Sequence, residues 1–319
     1  MDKDLPWKKS SLADLENFHK AAVNNSLNAN NYSSVNSILY QKKYNSHVCI
    51  VNNWLLEKYL SEKKMSFAFP HNLSGDSSKI NEILKVIKEA ATAQGKEICF
   101  CNLTRPELEI LQNFFDKDSM TIHEADFLSD YIYLTQNLAN LPGSKYSKKR
   151  NHLNQFKKAF PNYEFKLLDK ERILDVLSIE DKWLEERIGG LKNDEENSEE
   201  QKQDLLYEKE IIHQALENFD YFKKTADLSG GLLYINQEAA AFCISSQLSD
   251  EVTDIHFEKS LEKFASAGAY ALINNEFAKT VKTKYINREE DLGIPGLRKA
   301  KLSYYPEIIL EKFLVKINL

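Results

Sequence analysis

Residues 231–279, GLLYINQEAAAFCISSQLSDEVTDIHFEKSLEKFASAGAYALINNEFAK, decide the fold. Gly231–Ile235, Ala239–Gln247 and Val252–Phe257 are rich in β-formers and closely spaced. Asn236-Gln237 and Leu248–Glu251 punctuate them as turns, so the segment predicts an antiparallel meander. Tyr221–Leu228 reads as one more strand ahead of it. Behind it a small-residue loop leads into a helix over Gly268–Lys279, and Thr283–Ile286 resumes as a strand. Helices over Lys148–Phe160, Asp169–Glu186 and Leu205–Asn218 precede the meander, with a strand at Tyr163–Leu167. A short helix near Pro295–Lys301 and a strand near Ile308–Ile317 follow. Helix, meander, helix, strand is the order of a mixed α/β sheet.

The first half repeats that order loosely. Ser11 and Asp14 form a capping box for a helix to residue 24, and Leu12, Leu15, Phe18 and Ala22 keep helical spacing. Val35–Tyr40, His47–Val51 and Met65–Phe69 read as strands. A helix carrying Ile80, Ile83, Leu84, Ile87, Ala90 and Ala91 stops at Gly95. The strand Glu97–Asn102 comes next. Thr104 and Glu107, with Pro106, open another helix, and Tyr131–Leu134 is a strand. The acidic, aperiodic run 189–203 predicts a solvated, mobile loop. Two domains follow, 1–140 and 141–319.

Composition narrows the function. The chain has 319 residues, and 42% are apolar, which suits globular domains rather than a disordered chain. It holds ten glycines, about half the usual share of about 7%. None can complete G-x-G-x-x-G, a Walker A loop or G-x-S-x-G. A net charge of −6 argues against a partner such as duplex DNA. The four cysteines form no C-x-x-C pair and read as reduced thiols in a cytoplasmic protein. Cys99 and Cys101 alternate onto one face of a strand. There is no signal-peptide core and no 18-residue apolar run, so no transmembrane segment is expected. No third ligand accompanies His256 at a metal-site spacing, and no metal is expected.

Four segments carry chemistry. Residues 141–160 hold Lys145, Lys148, Lys149, Arg150, Lys157 and Lys158 and no acid. This helix can hold phosphates, a tRNA acceptor stem or, as a weak contact, an anionic membrane. In Ile255–Lys259, alternation puts His256 and Glu258 on one strand face, where they could deprotonate an amine or hydroxyl. At Lys263–Tyr270 a strand, a small-residue loop and a helix start offer N–H groups to a phosphate, with Gly268, Ala269, Tyr270 and Asn274 as candidates. In Tyr285–Pro306, Arg288, Glu289 and Asp291 stand at a strand end, where active-site groups gather, and Arg298 and Lys301 follow a Gly-Ile-Pro-Gly turn. Each segment also has a plain structural reading as a solvated or salt-bridged surface.

Together these segments resemble soluble relatives of the phosphatidylglycerol lysyltransferase C-terminal domain. The matching stretches are DYIYLTQNLANLPGSKYSKKRNHLNQFKK, NFDYFKKTADLSGGLLYIN, AAAFCISSQL, HFEKSLEKFASAGAYALINNEFA and YINREEDLGIPGLRKAKLSYYPE. The likeness covers roughly residues 125–313, and YSSVNSILYQKKYNSHVCIVNN fits the family's first half. The resemblance implies two tandem GNAT-like domains with mixed, mostly antiparallel sheets, as in Fem-type transferases. It also implies acyl or aminoacyl transfer to an amine or hydroxyl, with acyl-CoA or aminoacyl-tRNA as donor. His256, Glu258, Arg288, Glu289 and Asp291 are then the catalytic candidates. Lys149, Arg150, Gly268, Ala269, Tyr270, Asn274, Arg298 and Lys301 would hold the donor. The GNAT pyrophosphate loop reads [QR]-x-x-G-x-[GA]; here Phe264-Ala-Ser-Ala-Gly268-Ala269 keeps only the last small pair, which makes a tRNA donor competitive with CoA. The alternative is a non-catalytic ligand- or RNA-binding protein on a transferase scaffold.

Overall fold

A computed structural model describes residues 5–60, 65–93, 97–191 and 198–318. In chain order the strands are β1 (Lys8–Lys9), β2 (Ser46–Val51), β3 (Trp54–Leu60), β4 (Met65–Phe67) and β5 (His71–Asn72). β6 (Ile98–Leu103), β7 (Met120–Glu124), β8 (Asp130–Leu134), β9 (Tyr163–Leu167) and β10 (Ser229–Ile235) come next. The last are β11 (Glu238–Gln247), β12 (Val252–Ser260), β13 (Tyr285–Asn287), β14 (Ile308–Leu310) and β15 (Phe313–Ile317). The chain is α/β with mixed, mostly antiparallel sheets, the class expected.

The chain forms two compact units. The first comprises 1–132, 248–252 and 287–319; the second comprises 133–247 and 253–286. A cut at residue 140 therefore misses the return of the C-terminal residues to the first unit. The reason is β15, which lies between β6 and β7 in the sheet β1-β2-β3-β4-β6-β15-β7, with β5 paired to β3. Phe313 faces Leu103 on one side and Glu124 on the other. β4 and β6 are parallel, and the other neighbours along this sheet are antiparallel. Helices Leu15–Asn24, Ile80–Ala93 and Arg105–Phe114 bury Leu15, Phe18, Ile83, Leu84, Ile87, Leu108 and Leu111 in its core. Both expected capping boxes form, Ser11 with Asp14 and Thr104 with Glu107. Also in this unit, β14 pairs with β8, Ile308 opposite Ile132.

In the second unit the strands run β13-β12-β11-β10-β9. The β10–β11 connection is the predicted two-residue turn, and Asn236 and Gln237 both adopt positive φ, at 49° and 69°. That is the primed turn whose twist suits a hairpin. The helix Ala269–Ala278 buries Ala269, Leu272, Ile273 and Phe277, and it packs on β10, β11 and the helices Thr135–Asn140 and Ser147–Ala159. Helix Ile173–Gly190 packs on β11.

Three local expectations fail. Residues 35–40 are not a strand: Ser34–Leu39 is helical, capped by Ser33, whose hydroxyl accepts from the Asn36 N–H. Val35, Ile38 and Leu39 are buried at helical, not alternating, spacing. Residues 221–228 are not a strand either. Phe219–Ala226 is a helix burying Phe219, Phe222 and Ala226, closed by Asp227 at φ 47°. The C-terminal run 308–317 splits into β14 and β15, in different sheets. Of the run 189–203, residues 192–197 lie outside the described ones, and 198–203 begin a helix, Ser198–Glu217. The expected helix stop at Gly95 also lies outside them.

Candidate functional site

In the first unit the chain leaves β13 at Asn287, which is fully buried. Its amide Nδ2 donates to Asp130 Oδ2 at 2.9 Å and to the Asn28 carbonyl at 2.9 Å. Its Oδ1 accepts the Glu289 N–H at 2.7 Å, an Asx-type turn that holds Glu289 at φ 56°. Asp130 is fully buried too and is surrounded by donors. It accepts the Asn30 N–H at 2.7 Å and Lys312 Nζ at 2.6 Å. Lys312, with 2% of its side chain exposed, also donates to Asn30 Oδ1. Asn30 Nδ2 then donates to Glu290 at 2.5 Å, and Asn36 Nδ2 to Glu289 at 2.8 Å. A buried charge persists only where it is paired and hydrogen-bonded, and this lattice supplies both conditions.

Asp291 anchors the next turn. Its carboxylate accepts the Gly293 N–H at 2.8 Å, the Tyr131 hydroxyl at 2.5 Å, and Arg298 through Nε at 2.6 Å and Nη2 at 3.2 Å. Burial pushes this carboxyl up, but the Arg298, Tyr131 and Gly293 donors outweigh it and hold it below the usual carboxylate range. Burial and the Asp291 hydrogen bond push Tyr131 up to about 12. Lys301 on helix Pro295–Leu302 turns its ammonium onto the carbonyls of Arg288, Glu289 and Glu290, filling its three donors. Burial and the Arg288 guanidinium pull it down. Glu290 is pushed up by burial and by the Glu289 carboxylate. Arg288 lies over the Tyr304 ring at 5.3 Å. The structure thus gathers Arg288, Glu289, Asp291, Arg298 and Lys301 in one short loop and helix.

In the second unit His256 sits on a β-bulge. The β11–β12 register runs Ile244 to Phe257 and Ser245 to Ile255, leaving His256 as the extra residue. Its Nε2 is 2.7 Å from Ser246 Oγ and its Nδ1 is 3.5 Å from Asp254 Oδ2. Ser246 and Asp254 face each other across the ladder. The His256 and Asp254 side chains are 1% and 0% exposed. The extra residue switches the alternation. Glu258, opposite Cys243, falls on the other face from Asp254, opposite Ser246. The expected common face for His256 and Glu258 is therefore lost. Ser246 replaces Glu258 as the neighbour of the imidazole and can exchange a proton with its Nε2, while the Asp254 carboxylate lies near Nδ1 without a hydrogen bond to it.

The donor candidates scatter. Arg150 donates to the carbonyls of Leu141 at 2.5 Å and Gly143 at 2.7 Å, so it ties down its own loop. Lys149 lies partly exposed on the same helix, Ser147–Ala159. That helix buries Leu153 and Phe156, which uses up its apolar face. Gly268 caps helix Ala269–Ala278 at φ 110°, a value that favours glycine. The N–H groups of Phe264, Ala265, Ser266 and Gly268 donate to carbonyls inside the loop. Ala269 is buried at the helix start and Tyr270 follows half-buried. Asn274 is 1% exposed, and neither its Nδ2 nor its Oδ1 has a hydrogen-bond partner. Sequence reading missed Ser246, Asp254, Asn30, Tyr131, Asp130 and Lys312. The Asp254-x-His256 spacing on a strand could have exposed one pair. Asp130 and Lys312 carry no local signal.

Among solved structures, the chain resembles a conserved protein of unknown function from Bacteroides thetaiotaomicron. The two share 30% identity at a TM-score of 0.86, over 99% of this chain and 100% of that one. It also resembles the L-PGS of Bacillus licheniformis, with a TM-score of 0.64 and 15% identity over 95% of this chain and 90% of that one, a likeness of fold. An uncharacterized protein of Mycoplasmoides gallisepticum is 26% identical over 271 residues, 84% of this chain and 80% of that protein. The model of the family described as phosphatidylglycerol lysyltransferase, C-terminal, matches residues 26–316. No described helix is long and apolar enough to cross a membrane. With that match spanning nearly its whole length, the chain belongs to the phosphatidylglycerol lysyltransferase C-terminal family, a family of transferases.

Proposed function

We propose that the protein moves an aminoacyl group from the ester of an aminoacyl-tRNA to a hydroxyl or amine acceptor. The observation that carries this reading is the cluster Arg288, Glu289, Asp291, Arg298 and Lys301. Two of its charges, Asp291 and Lys301, are buried and shifted, and Glu289 takes a positive φ just past a strand end, a combination that marks functional sites more than scaffolds. In this reading Arg298 and Arg288, on the first unit, hold phosphates of the donor tRNA, and Asp291 fixes Arg298. His256 accepts the acceptor's proton through Nε2, with Ser246, 2.7 Å away, as the relay. The acceptor oxygen or nitrogen then bonds to the ester carbonyl carbon. The bond to the ribose oxygen breaks, and that oxygen takes the proton back.

Two features favour tRNA over CoA. The loop N–H groups that would cradle a pyrophosphate already serve Leu261, Glu262 and Ala265 carbonyls. Lys145, Lys148 and Lys158 are exposed along one helix and its lead-in, as an RNA backbone would require. The family's description, phosphatidylglycerol lysyltransferase, suggests lysine as the cargo and phosphatidylglycerol as one acceptor.

The test offers purified protein lysyl-tRNA, alanyl-tRNA or acetyl-CoA, each with phosphatidylglycerol vesicles or a soluble amine. Loss of label from the carrier and its appearance in the acceptor are followed. Transfer from a charged tRNA, reduced about 100-fold or more by Arg298→Ala, is the expected result. Consumption of acetyl-CoA alone would replace the donor assignment. Tight, salt-sensitive tRNA binding without transfer would favour a binding protein.

A further inference from the structure

The loop and helix that follow β13 turn charges inward and carry an exposed apolar strip, all of it in the first unit. Among the described residues thirteen large hydrophobic side chains are exposed, and six of them fall between residues 292 and 309. Leu292 and Ile294 are 59% and 52% exposed, and Leu297, Leu302 and Tyr305 are exposed with them. Phe127, 47% exposed, adjoins the strip: a Cβ on Gly293 would lie 3.6 Å from the Phe127 Cβ. Exposed apolar residues scattered singly need no explanation, but a concentration of them marks a contact surface.

Local backbone preferences oppose these side chains. Leu292 holds φ 52° and Tyr305 φ 54°, a region where an L side chain is strained and glycine or asparagine is favoured. Ile294 stands at the N-cap of helix Pro295–Leu302. Ser, Thr, Asp or Asn there would accept an orphaned N–H, and isoleucine cannot. Three positions thus give up local stability and hold an apolar group out to solvent. Neither burial nor capping accounts for that choice, whereas a partner that takes apolar side chains does.

Charge selects the partner. Residues 292–306 hold Arg298, Lys299 and Lys301 and no acid, in a chain of 48 acids and 42 bases. Lys301 is engaged by carbonyls, and Arg298 by Asp291 with its side chain still 42% exposed. Lys299 is exposed, and Asp126 and Glu307 are exposed acids at the edges of the strip. An RNA backbone would use the cations and gain little from leucine and isoleucine. An anionic lipid surface uses both: apolar side chains enter the acyl boundary while lysine stays among the headgroups.

We propose that this strip docks the protein on an anionic lipid surface, with Leu292 and Ile294 inserted, Phe127 and Leu297 beside them and Lys299 against the headgroups. Such docking would present a lipid acceptor to the site proposed above. Flotation on vesicles needs no charged tRNA, so docking and transfer can each fail alone.

The test floats the full chain with vesicles of phosphatidylglycerol or of phosphatidylcholine. Binding to phosphatidylglycerol should be about fivefold or more the stronger, and Lys299→Ala should lower it about fivefold. Ile294→Asp should weaken it about tenfold or more, and Leu292→Gly about threefold. Both variants put the locally favoured residue at the cap and at the positive φ, so their melting temperatures should stay at or above that of the wild type. Side chains kept for the fold would do the reverse, lowering the melting temperature and leaving flotation unchanged. Wild-type chain that stays off phosphatidylglycerol vesicles, or vesicle binding that survives unchanged in both variants, would overturn the proposal. So would tRNA binding that both variants weaken while flotation holds, which would make the strip an RNA contact.

Discussion

Lys312→Met tests how the first unit carries its buried charge. Lys312 and Asp130 are 2% and 0% exposed and 2.6 Å apart. The variant keeps the apolar stem and deletes the ammonium. Asp130 then remains buried with two donors, the Asn30 N–H at 2.7 Å and Asn287 Nδ2 at 2.9 Å. Breaking a buried pair from one side costs about 3–5 kcal/mol. The two surviving donors place this case at the low end, about 3 kcal/mol. With a urea dependence of about 3 kcal/mol per molar, the midpoint should fall by about 1 M. Urea titration followed by tryptophan fluorescence reads this, since Trp7 and Trp54 lie in the first unit. Adding Asp130→Asn should restore much of the loss, because the orphaned charge goes with it. A loss under about 1 kcal/mol in the single variant, or a double variant no better than the single one, would refute the reasoning.

Other expectations concern separate parts of the molecule. Burial lifts Glu57 from 4.5 to about 8 in the folded chain, so the native state holds a proton that the unfolded state has lost across that window. Stability should therefore fall as pH rises from about 4.5 to about 8 and level off above it; urea midpoints of Glu57→Gln at pH 5, 7 and 9 should lack that fall. A Cβ on Gly230 would lie 2.2 Å from the Cys243 carbonyl oxygen, and one on Gly231 would lie 2.4 Å from the Phe165 ring. Backbone yields less than a side chain, so Gly230→Ala should cost about 2 kcal/mol or more and Gly231→Ala less, by thermal melting; the reverse order would show that β10 moves more easily than Phe165. His256→Gln should leave the melting temperature close to wild type while lowering transfer at least about 100-fold, and an undiminished rate would remove the imidazole from the chemistry.

Much of the second unit was legible because its signals are local. The Asn236-Gln237 turn, the small-residue break at Gly268 and the capping boxes of the first unit each act within a few residues. Asn52-Asn53 carried the same signal and was overlooked. Their φ values of 50° and 68° make the β2–β3 hairpin. The failures at 35–40 and 221–228 share one cause. Both runs are short and rich in aromatic or β-branched residues, so propensity favours strand, while the spacing of the buried side chains favours helix. Packing decided, as it does when the two disagree. The loop after β13 was found as a set of charges, but not its support. Asp130, Asn30 and Lys312 come from distant points in the chain, and nothing near any of them in the sequence says that they meet. The bulge at His256 was equally hidden, since one extra residue in a ladder leaves no compositional trace.

β15 lies between two strands that precede it by most of the chain's length. During synthesis β6 and β7 leave the ribosome with the slot between them unfilled, and their facing edges stay open while residues 125–312 are made. The first unit to begin is thus the last to finish, and for that interval its exposed edges invite a chaperone or a wrong pairing. Loop closure over so long a span makes the final insertion slow. A pulse-labelling experiment on nascent chains stalled behind a C-terminal spacer would then find the amides of β6 and β7 that face β15 protected only after residue 317 has cleared the exit tunnel.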